Sequence, residues 1–191
     1  MSTRHFAHWP KGLPRHMSVP ETDLFYNVEV SARRYPDKPY LVFYDTQISY
    51  AEFKDEAERI AGWLQGQGVK QGDRVLLYMQ NSPQFVLAYY GILRANAVVV
   101  PVNPMNMTTE LRHYVKDSGA KLAIVAQDIH PQMKPLLGTG PEQGLEQILV
   151  AAYSDYLKSE TDLKVPDFVK APRQDLAEPG VTLWSEALAA K

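Results

Sequence analysis

The stretch from Gly72 to Pro104, GDRVLLYMQNSPQFVLAYYGILRANAVVVPVNP, constrains this chain most, because it spells strand, helix and strand in one run. A charged turn at Gly72 and Asp73 precedes the apolar residues Val75, Leu76 and Leu77. Ser82 then offers an N-cap oxygen, and Pro83 stands at the first helical position, where a missing N–H leaves no partner unserved. The helix is expected to reach about Ala95, and Val98, Val99 and Val100 form a second strand halted by Pro101. Short apolar strands joined by a helix pair in parallel through a right-handed crossover. No nucleophile, metal cluster or phosphate loop stands out within the unit.

The flanking segments extend the same alternation. Residues 1–21, punctuated by Pro10, Gly12, Pro14 and Pro20, read as an extended arm lying over the domain. Leu24, Val28, Ala32 and Tyr35 recur at helical spacing behind Thr22 or Asp23, and Pro36 ends that helix. Pro39 to Tyr44 and Gln47 to Tyr50 suggest a hairpin turning at Asp45 and Thr46. Ser49 followed by Glu52 is a capping box, opening a helix whose inner face is Phe53, Ala57, Ile60, Ala61 and Leu64, closed by Gly66 and Gly68. After the central unit, Thr108 or Thr109 caps a helix through Asp117, with Gly119 as its left-handed end. A strand over Lys121 to Ala126, a short helix from about Asp128 to Leu137, a Gly/Pro loop and a strand over Gln147 to Val150 complete three βα crossovers. One or two helical turns are expected around Tyr153 to Lys158, an irregular connection through Pro166, Pro172 and Pro179, and a helix from Thr182 to Ala190.

The fold class expected is therefore α/β: a layered parallel-sheet subdomain of successive βα crossovers over 22–165, with an N-terminal arm, helix and hairpin. A Pro-rich connection and terminal helix occupy 166–191. With 191 residues and 45% apolar side chains, the chain can bury a sizeable core. A formal net charge of -2 supplies no overall attraction to nucleic acid or an anionic membrane. The lack of cysteine removes disulfides, thiolate metal sites and cysteine catalysis together, and no stretch has signal-peptide or membrane-spanning character; the cytoplasm is the compartment expected.

Several groups invite a functional reading and have a plainer one. His5 and His8 beside Trp9 lack a third ligand and belong to the arm, so no metal is assigned. Gly138, Thr139, Gly140 and Gly144 lack the Lys-Ser/Thr pair and preceding strand of a phosphate loop, and read as a helix-to-strand connection. Arg112, His113, Lys116 and Lys121 form a basic group diluted by Glu110 and Asp117, which reads as solvated helix surface. Tyr78, Tyr89 and Tyr90 suit a core better than a ligand pocket.

Four phrases, ARRYPDKPYLVF (Ala32 to Phe43), ISYAEF (Ile48 to Phe53), the run from Gly68 to Pro104 and TTELRHYVKDSGAKLAIV (Thr108 to Val125), resemble in content and order the N-terminal part of adenylate-forming enzymes. Within that superfamily, the NSPQF and PVNP segments are most similar to long-chain fatty-acid-CoA ligases. The resemblance implies a two-step reaction, in which a carboxylate and ATP give an acyl-adenylate that CoA then converts to a thioester, with ATP, Mg²⁺ and CoA needed by the full-length parent and a fatty acid as substrate. The Ser/Thr/Gly-rich loop, aromatic-Thr-Glu segment, ribose-binding Asp and C-terminal lysine that do this chemistry in the family are not in this sequence. The chain is accordingly expected to be an N-terminal fragment, inactive alone, with no catalytic, cofactor-binding or metal residue of its own. The resemblance gives structural roles to Tyr50 and Glu52 at a helix start, Asp73 in a turn, and Pro101 and Asn103 at a strand end beside the acyl region. Asn96 replaces a glycine usual in the family, and asparagine tolerates positive φ. An aryl- or coumarate-type ligase is the alternative substrate reading. A complete, non-catalytic interaction module, pairing with a partner or as a homodimer through the arm and residues 166–179, is the alternative class.

Overall fold

The computed structural model describes residues 3–138, 140, 144–176 and 178–189. Helix α1 (Leu24–Arg34) is capped by Asp23, whose carboxylate accepts from the Tyr26 amide, and buries Phe25, Val28 and Ala32. Leu24 and Tyr35, expected inward, are exposed. The hairpin of β1 (Pro39–Phe43) and β2 (Thr46–Ser49) turns at Tyr44 and Asp45, one residue earlier than expected, with φ of 46° and 64°. Two successive positive φ values are the geometry that matches strand twist in a two-residue loop.

The capping box opens α2 (Tyr50–Gly66): Ser49 Oγ accepts from the Glu52 amide at 3.2 Å, and the Glu52 carboxylate accepts from the Ser49 amide at 2.8 Å. All five expected inner-face residues are buried, with Trp63 added. The central unit forms as β3 (Arg74–Tyr78), α3 (Pro83–Arg94) and β4 (Val98–Val102). Ser82 caps α3 and Pro83 occupies its first turn. Pro101, however, does not halt β4. The Val98 amide donates to Asp73 O across the ladder, so by alternation the nitrogen of residue 101 faces away from β3. Because β4 is the sheet's edge, a proline there costs no ladder bond.

Then follow α4 (Thr108–Ser118), β5 (Leu122–Ala126), α5 (His130–Met133) with a 3-10 turn over Lys134–Leu136, β6 (Gln147–Ala151), α6 (Asp167–Lys170), β7 (Val181–Leu183) and α7 (Trp184–Ala189). Met107, not Thr108 or Thr109, takes the N-cap position of α4. Its amide donates to Glu110, while the Thr108 hydroxyl turns to Gln132. Strand β7 takes the place of the start of the helix expected from Thr182: residues 181–183 pair in parallel with β6 instead.

The five parallel strands lie in the order β4-β3-β5-β6-β7. Alternation along each strand divides the interior in two. Val75, Leu77, Ile124 and Leu149 face α2, α3 and α7 through Phe53, Ile60, Leu64, Leu87, Ile92 and Trp184. Leu76, Tyr78, Val125 and Val150 face α4, α5 and the 3-10 turn after it through Leu111, Val115, Met133 and Leu136. Burial on both faces explains why these strands read as continuous apolar runs. Asn96 has φ 60°, and the amides of Asn96 and Ala97 donate to Leu93 O and Ile92 O, the paired bonds of a Schellman end to α3.

The arm departs from its expected form. Instead of an extended strap on the domain, it makes a 3-10 turn over Arg4–His8, and every residue from Thr3 to Pro20 except Phe6 is exposed.

Candidate functional site

After β3 the chain crosses to β4, then returns past β3 to lay β5 on its other side. Crevices in parallel sheets open beyond the carboxyl ends of the strands at such a reversal. The segments that leave this edge are Met79 to Ser82 after β3, Gln127 to Ile129 after β5, and Ala152 to Tyr156 after β6.

Tyr153 is 1% exposed, and its phenol oxygen accepts from the Gln80 amide at 2.7 Å, with burial pushing its pKa well up. The phenol therefore stays neutral and keeps its own proton to donate. Gln84, fully buried at the start of α3, donates through Nε2 to Ala152 O at 2.6 Å, and its Oε1 has no hydrogen-bond partner. Gln127 donates from Nε2 to Ala171 O and Pro172 O at 3.3 and 3.0 Å and accepts from the Gln174 amide at 3.0 Å. Ser154 donates to Ala171 O, and Arg173 pairs with Asp155 at 2.8 Å. The segment read as an irregular connection is thus strapped across the carboxyl edge by buried amide chemistry.

Between the strap, the hairpin and the edge lies a cavity of about 210 Å³ lined by Phe43, Tyr44, Gln80, Asn81, Tyr153, Phe168 and Val169. Its walls are mainly aromatic with a few amides, which suits apolar ligand surface. The volume falls below the roughly 300–1,000 Å³ of a small-molecule site, so it can serve as one wall of a larger pocket. A cleft at the opposite, amino edge includes Asp73, Arg74, Lys121 and Glu146. Its charges are already engaged: Lys121 with Glu146, Arg74 with Ser118 O, and Asp73 with the Lys70 amide. That last bond is the turn expected of Asp73.

The other groups singled out from sequence do not gather here. His5 packs at a tilt against Phe6 in the arm. The amides of Gly138 and Gly144 bond Leu145 O and Leu136 O, so they are turned into chain pairing and not toward an anion; Thr139 lies outside the described residues. His113, Lys116 and Lys121 are exposed. Tyr78 is fully buried in the second core, its hydroxyl donating to Asn106 O, while Tyr90 packs edge-on to Phe53 at 5.5 Å. Asn103 accepts from the Met105 amide at 2.9 Å, closing a turn just past β4. Among the described residues, no three His, Asp or Glu side chains converge on a metal position. No chemical step through ATP or Mg²⁺ is assigned to these residues. Of the residues that sequence reading passed over, Gln80, Gln127 and Tyr153 share one signal, each lying within two residues of the end of an apolar strand, whereas Gln84 sits in the first turn of α3.

The strand order and the helices on both sheet faces define a doubly wound parallel α/β domain. The chain belongs to the AMP-binding enzyme family, whose model matches residues 28–184. It is 31% identical over 163 residues to a long-chain-fatty-acid–CoA ligase of Bacillus subtilis (strain 168), covering 84% of this chain and 28% of that protein. A Mycobacterium tuberculosis fatty acyl CoA synthetase superposes with TM-score 0.59 at 27% identity, over 69% of this chain and 26% of that one. The coronafacic acid ligase of Pectobacterium brasiliense shares the fold, with TM-score 0.68 over 88% of this chain and 29% of that one, at 21% identity. The chain thus spans about a quarter of the length of the curated relatives it matches. Among the described residues, no helix is long and apolar enough to cross a membrane.

Proposed function

We propose that this chain is the N-terminal part of an AMP-forming fatty-acid-CoA ligase, supplying scaffold and one wall of the acyl site and inert alone. The observation that carries this is the match of residues 28–184 to the AMP-binding family, joined to a rim cavity that is aromatic and free of reactive groups. The parent reaction consumes ATP with Mg²⁺ and CoA. Its carboxylate attacks the α-phosphorus of ATP, pyrophosphate leaves, and the CoA thiol then displaces AMP from the acyl-adenylate. The part of this chain is to hold apolar substrate surface against Phe43, Tyr44 and Phe168.

ATP–pyrophosphate exchange tests the proposal, run with the 191-residue chain and with the whole product of its gene. Exchange with long-chain fatty acids by the whole product and none by the chain is expected. Exchange by the chain itself, or exchange supported by aryl acids alone, would overturn it.

A further inference from the structure

We propose that the rim cavity is a subsite for a keto oxygen carried partway along the acyl chain, with the Tyr153 hydroxyl as its donor. The inference rests on the ligase reading and narrows its substrate class to acyl chains that bear a neutral oxygen.

The donor is fixed before any ligand arrives. Tyr153 is 1% exposed, its ring meets Phe168 edge-on at 5.8 Å, and its oxygen accepts from the Gln80 amide at 2.7 Å. A phenol has a proton to give as well as lone pairs to offer, and among the described residues no acceptor takes that proton. Leaving a buried donor unmet costs free energy, so buried polar groups in folded chains find partners. Tyr153 lines the rim cavity, and a partner for its proton can enter there.

The lining decides what that partner is. Phe43, Tyr44, Phe168 and Val169 present rings and methyl groups, Gln80 and Asn81 add neutral amides, and no Lys, Arg or His is among the described residues that line the cavity. A carboxylate would enter with no cation to pair it, a costly transfer. Burial holds the Tyr153 phenol protonated, and the nearby charge of Asp128 adds to this, so a second anion there would also be repelled. A keto oxygen meets neither penalty: it accepts a hydrogen bond, carries no charge and sits on an apolar body. The acid's own carboxylate is thereby directed away from this wall, and the oxygen that Tyr153 holds lies elsewhere on the chain.

ATP–pyrophosphate exchange by the whole gene product tests this, with palmitate and with palmitates whose single keto group is walked along the chain. Because the donor is fixed, one keto position should exceed palmitate in kcat/KM by about tenfold, the worth of one hydrogen bond. Tyr153→Phe should flatten that peak. The infrared stretch of a ¹³C-labelled keto group at that position should fall on binding to the parent, a readout that stands whether or not the variant folds. A flat series with palmitate active, a peak that survives Tyr153→Phe, or an unshifted stretch would overturn this inference alone. Failure of every acid, palmitate included, would overturn the ligase reading and this inference with it.

Discussion

The Gln80 amide and the Tyr153 phenol oxygen meet at 2.7 Å across the carboxyl edge, joining the exit of β3 to the exit of β6 over the strand between them. Tyr153→Phe removes the hydroxyl, and with it the acceptor of this bond, while keeping the ring. It should cost about 1 kcal/mol, the usual net worth of one hydrogen bond. Urea unfolding reads the loss, and hydrogen exchange at the Gln80 amide should quicken. Unchanged stability with unchanged exchange would show that the bond does not hold the rim.

Helices α2 and α3 touch where Gly91 has no side chain. A Cβ on residue 91 would stand 2.8 Å from Ile60 Cγ2 and 3.2 Å from Ala57 O. Gly91→Ala should therefore destabilise by about 1–3 kcal/mol through overpacking, despite alanine's better helix propensity. Combined with Ile60→Ala, it should cost less than the two single changes summed, because the second change vacates the contact.

At the end of α3, Asn96→Gly should be neutral or slightly stabilising, since the Schellman bonds need φ 60° and not the amide side chain. Asn96→Val should lose at least about 1–2 kcal/mol, the left-handed penalty for a residue with Cβ. Equal denaturation midpoints for the two variants would contradict this account.

Glu56 accepts from the Tyr156 hydroxyl at 2.5 Å, and that hydroxyl accepts from Trp184 Nε1 at 3.1 Å. Desolvation nevertheless holds the Glu56 carboxyl above its ordinary 4.5, outweighing the bond from Tyr156 and the charge of Lys158. The folded state thus binds this proton more tightly than the unfolded state. Its contribution to stability is full below about 4.5 and is lost as pH rises through the raised folded value. Glu56→Gln keeps an acceptor for Tyr156 and removes the titration. The variant should lack this loss, gaining on the parent as pH rises from 4 to 7 in urea titrations. Parallel pH profiles would refute the assignment.

The devices legible in the sequence were the local ones. Ser49 with Glu52, Ser82 with Pro83, and Gly119 after α4 act within one turn of chain, so their effect is written in adjacent residues. Where two neighbouring residues could serve equally, tertiary packing chooses between them. Whether Leu24 or Phe25 turns inward depends on the rotation of α1 against α2 and α3, and whether Met107 or Thr108 caps α4 depends on the competing Gln132. Strand β7 has only three residues, too few for periodicity to separate it from the helix that follows, and its pairing with β6 defines it.

By itself the sequence determined the alternation of strands and helices and the parallel core, because apolar period and capping chemistry are short-range properties; the resemblance to adenylate-forming enzymes rests on the four phrases and their order. Only the tertiary structure decided the strand order, and with it the edge on which Gln80, Gln127 and Tyr153 assemble. Residues far apart in the chain become partners there through hydrogen bonds that no local spacing encodes.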